Sequence, residues 1–231
     1  MNTMSSYYAA IHPENTFNHQ NDTVYQDRHQ VRLKDGSWLD IPLRALPGDK
    51  EAIALLMSNQ SAFAVTEHLM RILSEQIKTL NPDSIVAVPT MGLEYASCVA
   101  KQLGMKEYVA MGFSRKFWYD ENIKQSVVST TSPDQKKDLY LDPDLVGRVK
   151  GKRVVVVDDV INTGQSVLAA VKLLQSVEAQ VIAVAVALTE GYQWHSAMRS
   201  VGLDPEKNII CAGHIPVFMQ HKNGWIAKPE T

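Results

Sequence analysis

Four consecutive valines followed by two aspartates constrain this chain more than any other stretch. Residues 154–166 read Val-Val-Val-Val-Asp-Asp-Val-Ile-Asn-Thr-Gly-Gln-Ser. An uninterrupted β-branched run is what a central parallel strand requires, because helices cover both of its faces. Such a strand delivers Asp158 and Asp159 to its C-terminal end, and ligands of open parallel sheets bind outside that edge. The turn Asn162-Thr163-Gly164-Gln165-Ser166 then opens a helix, with Val167, Ala170, Val171 and Leu174 on one face. Free backbone N–H groups at a helix start, together with the Thr163 and Ser166 hydroxyls, make a phosphate cradle. Gly164 lets the backbone come close to the phosphate. The acidic pair can accept hydrogen bonds from sugar hydroxyls or hold the waters of Mg2+. The implied ligand has a phosphate at one end and a vicinal diol in its middle. Thr-Gly-x-Ser alone is an ordinary loop; the whole run is specific. Phospho-receiver domains also carry an acidic pair after a strand, but near their N-terminus, whereas this one lies two-thirds along the chain.

Around this run the chain alternates between strand and helix patterns. Ile85–Val88 reads as a buried strand, Leu93–Leu103 as a helix capped by Gly104, Tyr108–Phe113 as a second strand and Val181–Leu188 as another. A longer helix is predicted over Ser61–Leu80 and is stopped by Asn81-Pro82. This rhythm predicts an α/β fold, a parallel sheet with helices on both faces. Upstream, residues 1–28 read as a loosely packed polar arm. Asp35-Gly36, between alternating runs at Val31/Leu33 and Leu39/Ile41, predicts a hairpin, and Pro42, Pro47 and Gly48 are expected to break regular structure. Residues 114–150 interrupt the rhythm with a polar excursion whose flanks, Ile123–Val128 and Leu139–Leu141, can pair as a hairpin. An excursion of that length in a compact unit suggests a lid. The tail from Thr189 to Thr231 reads as irregular, a small second lobe.

Composition narrows the function classes. The 231 residues carry 23 Lys+Arg against 25 Asp+Glu, a net charge of −2. That balance offers no general attraction to nucleic acid or to an anionic membrane, so neither is an expected partner and any anion must be held locally. Cys98 and Cys211 make no disulfide framework. The polar N-terminus lacks the pattern of a signal peptide, and the longest apolar run is too short to cross a bilayer. A cytoplasmic protein is expected.

Residues 154–166 resemble the 5-phosphoribosyl-1-pyrophosphate (PRPP) signature of the type I phosphoribosyltransferases, and the likeness extends over roughly residues 55–190. Pro89-Thr90-Met91-Gly92 sits where that family has its pyrophosphate loop. Ser114-Arg115-Lys116 follows the second strand as a basic pair does in adenine and xanthine phosphoribosyltransferases. The resemblance implies a core over 51–190 that includes a flexible lid at 117–140. It also implies a hood lobe built from 1–50 and 191–231. Asp158, Asp159, Arg115 and Lys116 take catalytic roles in this reading. Asn162 through Ser166 hold the 5-phosphate, and Thr90, Met91 and Gly92 line the pyrophosphate loop. It further implies Mg2+, held through water by the two aspartates, and a homodimer in which Arg115 and Lys116 act in cis or across the interface. Lys124, Lys136 and Lys137 are candidate lid charges. Asn162 stands where hypoxanthine-guanine enzymes carry an acidic residue near the purine N7, which argues against a 6-oxopurine mechanism using that group.

The reaction implied is displacement of pyrophosphate from C1 of PRPP by a base nitrogen. Asn59 either contacts the base or turns the chain into the first long helix, and Tyr192 and Trp194 either stack on a base or form the lobe's own core. The hood offers no Arg or Lys between Thr189 and Trp194, so it does not suit orotate. Glu190 can accept a hydrogen bond from an exocyclic amine, which favours adenine or a related aminopurine, with xanthine or guanine next. The alternative is a PRPP-sensing regulator of the same fold without transferase activity. That reading lacks support from any helix-turn-helix pattern or basic face.

Overall fold

The computed structural model describes residues 8–18, 23–48, 50–128 and 136–231. Four strands open the chain: β1 (Ala10–His12), β2 (Arg28–Arg32), β3 (Trp38–Ala45) and β4 (Glu51–Ala54). Then come α1 (Phe63–Lys78), β5 (Ser84–Ala87), α2 (Gly92–Gln102) and β6 (Val109–Ala110). A hairpin of β7 (Lys124–Val128) and β8 (Lys136–Tyr140) precedes β9 (Arg153–Ile161), α3 (Gln165–Ser176) and β10 (Gln180–Glu190). The chain closes with α4 (Trp194–Arg199), β11 (Ile209–Ile215), β12 (Phe218–His221) and β13 (Gly224–Ala227).

A five-stranded parallel sheet runs β11-β10-β9-β5-β6. Alternate residues of its strands feed two cores. Ile85, Ala87, Val155, Val157 and Ala185 pack with α1, α2 and the N-terminal strands, while Val86, Val154, Val156, Val184 and Val186 pack with α3, α4 and the hairpin. The valine run is therefore buried on both faces, as its composition predicts. Among the described residues, no helix is long and apolar enough to cross a membrane.

The second sheet is antiparallel, in the order β1-β3-β4-β12-β13 with β2 also on β3. It joins N- and C-terminal segments into one hood layer. The polar arm is more ordered than its composition suggests. β1 pairs with β3, Ala9 is buried, and Trp38 Nε1 donates to the Glu14 carbonyl at 2.8 Å. Backbone bonds to the free edge of β3 supply an order that the side chains do not advertise. Pro42 lies inside β3 rather than ending it. It sits where β3 changes partner, pairing up to Pro42 with β2 and from Leu43 with β4, so its missing N–H breaks no continuous ladder.

The tail is likewise regular. β11 lies beyond the expected core boundary at 190/191 yet completes the parallel sheet, while β12 and β13 belong to the hood. Leu33 bridges Gly213, and Lys34 N donates to the Ala212 carbonyl at 2.8 Å, fastening the N-terminal hairpin to this sheet edge. A Cβ on Gly213 would lie 2.9 Å from both Leu33 and Val31, so only glycine allows the approach. Tyr108–Phe113 forms a strand only at Val109–Ala110, because Gly112 leaves the sheet to pair with Tyr140.

Candidate active site

β9 runs through the acidic pair and ends at Ile161, instead of stopping before it. Its neighbour β5 pairs only as far as Val157, whereas β10 continues alongside to Ile161. Asp158 and Asp159 therefore stand on a ledge that reaches past the last paired residue of β5. Burial pushes the Asp158 carboxyl well above the ordinary carboxylate range, and the adjoining Asp159 charge pushes it the same way. Asp159 is raised too, again chiefly by burial. Asp159 N donates to Asp158 Oδ1 at 2.9 Å, which fixes the first carboxylate against the backbone.

The gap beside the ledge is filled by the start of α2. Val88 N donates to the Val157 carbonyl at 2.9 Å, and the Pro89–Thr90 peptide is cis. A Cβ on Gly92 would lie 2.6 Å from the Val157 carbonyl oxygen and 3.0 Å from the Asp158 Cα. Gly92 is thus required by close approach of helix to strand. Thr90 is exposed, Met91 half-buried, and neither caps α2 with its side chain; of the first-turn N–H groups beside the acidic pair, that of Leu93 reaches the Thr90 carbonyl at 3.4 Å.

On the far side of the ledge, Gly164 begins α3 in the left-handed conformation with φ +77° and no side-chain cap. The missing Cβ points at α4, 3.1 Å from the Trp194 Cβ, rather than into the cradle. Gly164 therefore serves packing and backbone geometry, leaving the cradle to the α3 N–H groups and the half-buried Thr163 and Ser166; Gln165 is exposed. Asn162, at the start of this turn, donates from Nδ2 to Glu190 Oε2 at 2.6 Å. Glu190 is 5% exposed, and its other oxygen, Oε1, is buried without a hydrogen-bond partner. Burial pushes this carboxyl up to about 7, against the Asn162 hydrogen bond, which lowers it.

A sequence model of the phosphoribosyl transferase domain matches residues 55–201. The chain belongs to this phosphoribosyltransferase family. The hypoxanthine/guanine phosphoribosyltransferase of Methanosarcina mazei is 27% identical over 146 residues, covering 62% of this chain and 72% of that protein. That of Methanosalsum zhilinae is 32% identical over 125 residues, covering 54% and 60%. Among solved structures, the adenine phosphoribosyltransferase of Giardia lamblia complexed with 9-deazaadenine superposes with a TM-score of 0.59 at 18% identity, covering 75% of this chain and 93% of that one. The Saccharomyces cerevisiae enzyme gives 0.58 at 14%, covering 80% and 94%. These structures share the fold: a parallel sheet flanked by helices, with an antiparallel hood.

Within this phosphoribosyltransferase the expected site residues divide. Asp158, Asp159, Thr90 to Gly92 and the 163–166 turn converge on one sheet edge. Arg115 and Lys116 do not contact the acidic pair. Arg115 pairs with Glu121, which also holds Lys124 at 2.8 Å, and Lys116 is exposed. The hairpin forms, but its stem is built into the core, with Val127, Leu139 and Leu141 packed beside α3 and Tyr140 bonded to Gly112. The tip at 129–135 and the Lys136 side chain lie outside the described residues; Lys137 borders a cavity with Arg115, Ser126 and Asp138. Asn59 is exposed on a short 3-10 turn. Trp194 is core, its Nε1 donating to the Gly191 carbonyl at 2.8 Å, while Tyr192 stacks on His214 with ring centroids 5.0 Å apart.

One site neighbour and one contact between expected site residues escape sequence reasoning. Tyr95, fully buried on α2, shares a hydrogen bond with Ser58 at 3.1 Å and senses the Asp159 charge. Its place one turn after Gly92 on the buried helix face was a usable signal. The Asn162–Glu190 pair spans two strand ends and has no local signature.

Proposed function

We propose that this phosphoribosyltransferase moves the 5-phosphoribosyl group of PRPP onto a nitrogen of a purine-like base and releases pyrophosphate. The observation that carries the reading is the buried acidic ledge flanked by two uncapped helix N-termini. The α3 turn, with Thr163 and Ser166, holds the 5-phosphate. Asp158 and Asp159 accept hydrogen bonds from the ribose hydroxyls. The α2 N-terminus, with Thr90, Met91 and Gly92, receives the pyrophosphate. The C1–O electron pair leaves with pyrophosphate, the base nitrogen bonds to C1, and the base N–H proton is taken up by the released pyrophosphate. The protein's work is alignment of donor and acceptor and exclusion of water.

The aspartate pair also fits Mg2+. It offers hard oxygen donors. Two adjacent carboxylates suit an ion held by one or two protein oxygens plus substrate oxygens. When bound, the ion supplies positive charge against the pyrophosphate.

The exposure of Arg115 and Lys116 supports a role across a homodimer interface, and the neighbouring Phe117, 94% exposed, supports coverage of that surface. The acceptor favoured by Glu190 is adenine or a related aminopurine. The test is pyrophosphate release from PRPP with adenine, hypoxanthine, guanine, xanthine and orotate, with and without Mg2+. Release with at least one purine is expected. Release with orotate alone, or with no base, overturns the reading.

A further inference from the structure

The sheet order places Glu190 where the base must arrive. The pyrophosphate loop follows β5, one neighbour of β9, and Glu190 ends β10, the other. In an inverting displacement the nucleophile enters opposite the leaving group. With pyrophosphate on the β5 side of the ribose, the base nitrogen comes from the β10 side, beside a buried carboxyl whose Oε1 lacks a partner. A buried polar atom in that state is satisfied by a ligand or costs stability.

We propose that Glu190 reads the substituent at purine C6, accepting from an amine when it is a carboxylate and donating to an oxo group when it is a carboxylic acid. The proposal rests on the transfer reaction above. A carboxylate offers only acceptors, whereas a protonated carboxyl has one O–H to give. An amine at C6 demands the first state and an oxo group the second. Asn162 holds Oε2 by donation, which fixes the carboxyl and leaves Oε1 as the oxygen without a partner. With its carboxyl raised to about 7, Glu190 populates both states near neutrality. The other titratable groups on adjoining elements are Asp158 and Asp159 on β9, His214 on β11, bonded to Thr189, and Tyr192 and His195 after β10. Among the described residues no cation pairs with Glu190, so no ion pair pins either state.

The experiment measures kcat/KM for adenine and for hypoxanthine between about pH 6 and pH 8. The ratio of ionised to protonated carboxyl changes tenfold per pH unit, so the adenine-to-hypoxanthine ratio should rise at least about tenfold across that range. Glu190→Gln, whose amide offers donor and acceptor at every pH, should flatten the ratio. Asn162→Ala removes a donor that favours the carboxylate, so the rise should move to higher pH. Calorimetry in buffers of different ionisation enthalpy should show proton release as adenine binds and proton uptake as hypoxanthine binds. A flat wild-type ratio with both purines turned over overturns the proposal and leaves the transfer reaction standing. A pH-dependent ratio that survives Glu190→Gln also overturns it. Turnover of neither purine overturns the proposal, and release with guanine or xanthine then leaves the transfer reaction standing. Should Glu190→Gln fail to fold, the wild-type profile and the Asn162→Ala shift decide alone.

Discussion

Asp158 shows at the scale of one residue how binding competes with stability. Its folded-state pKa lies above the ordinary value of 3.8, so between the two values the folded chain binds more protons than the unfolded one. Stability is then kept at low pH and lost as pH rises through the folded value. Asp158→Asn removes the buried charge. Without ligand it should melt above wild type at pH 8, with the gap closing toward pH 4, while tight PRPP binding disappears. An equal melting shift at both pH values, or unchanged PRPP affinity by calorimetry, would contradict the assignment. Gly92 gives a second prediction. A methyl 2.6 Å from the Val157 carbonyl oxygen must displace α2, so Gly92→Ala should cost about 1–3 kcal/mol in denaturant unfolding and weaken PRPP binding. A loss below about 0.5 kcal/mol would show that the helix yields freely. Both residues could be singled out from sequence, since their roles follow from one strand and the turns beside it. What Gly92 and Gly164 avoid could not, because the atoms they make room for, the β9 carbonyl and Trp194, come from other elements.

The elements themselves were legible where a pattern is long and local. The valine run, the amphipathic faces of α1, α2 and α3, and the Asp35-Gly36 hairpin all form close to where the sequence places them. Those that were not legible are short and held from outside. β11 reads Ile-Ile-Cys-Ala-Gly-His-Ile, with a glycine that serves the N-terminal hairpin, and α4 has only six residues. The β7–β8 hairpin is the instructive case. Its polarity suggests a free lid, yet Leu139 and Leu141 are completely buried. Amides of Leu139 and Tyr140 should resist hydrogen exchange with or without ligand, and those of Phe117 to Tyr119 should gain protection only with PRPP, Mg2+ and a base analogue. Fast exchange at Tyr140 in the free protein would mean that the whole hairpin opens.

At the scale of the molecule, the exposed aromatics include Phe63 at the start of α1 and Phe117 with Trp118 beside the basic pair. Phe117 and Trp118 pack edge to face with ring centroids 4.9 Å apart, and a contiguous exposed apolar pair favours coverage by a second copy more than a lone side chain does. Sedimentation at micromolar concentration should give a dimer, and Phe117→Asp with Trp118→Asp should shift it toward monomer and lower activity. A wild-type monomer that is fully active would remove Arg115 and Lys116 from any shared site. The hood has a temporal consequence. Tyr25 bridges Trp225, Leu33 bridges Gly213, and Gln26 reaches the Asn223 carbonyl across 197 positions. Strands made early thus have their seat among strands made up to 197 positions later. At roughly 5–20 residues per second, the N-terminal hairpin waits on the order of 10–40 s with its apolar face uncovered. Val31, Leu33, Leu39 and Ile41, all buried in the folded protein, are then the natural target of a chaperone, and the hood closes only after β11, β12 and β13 have been made.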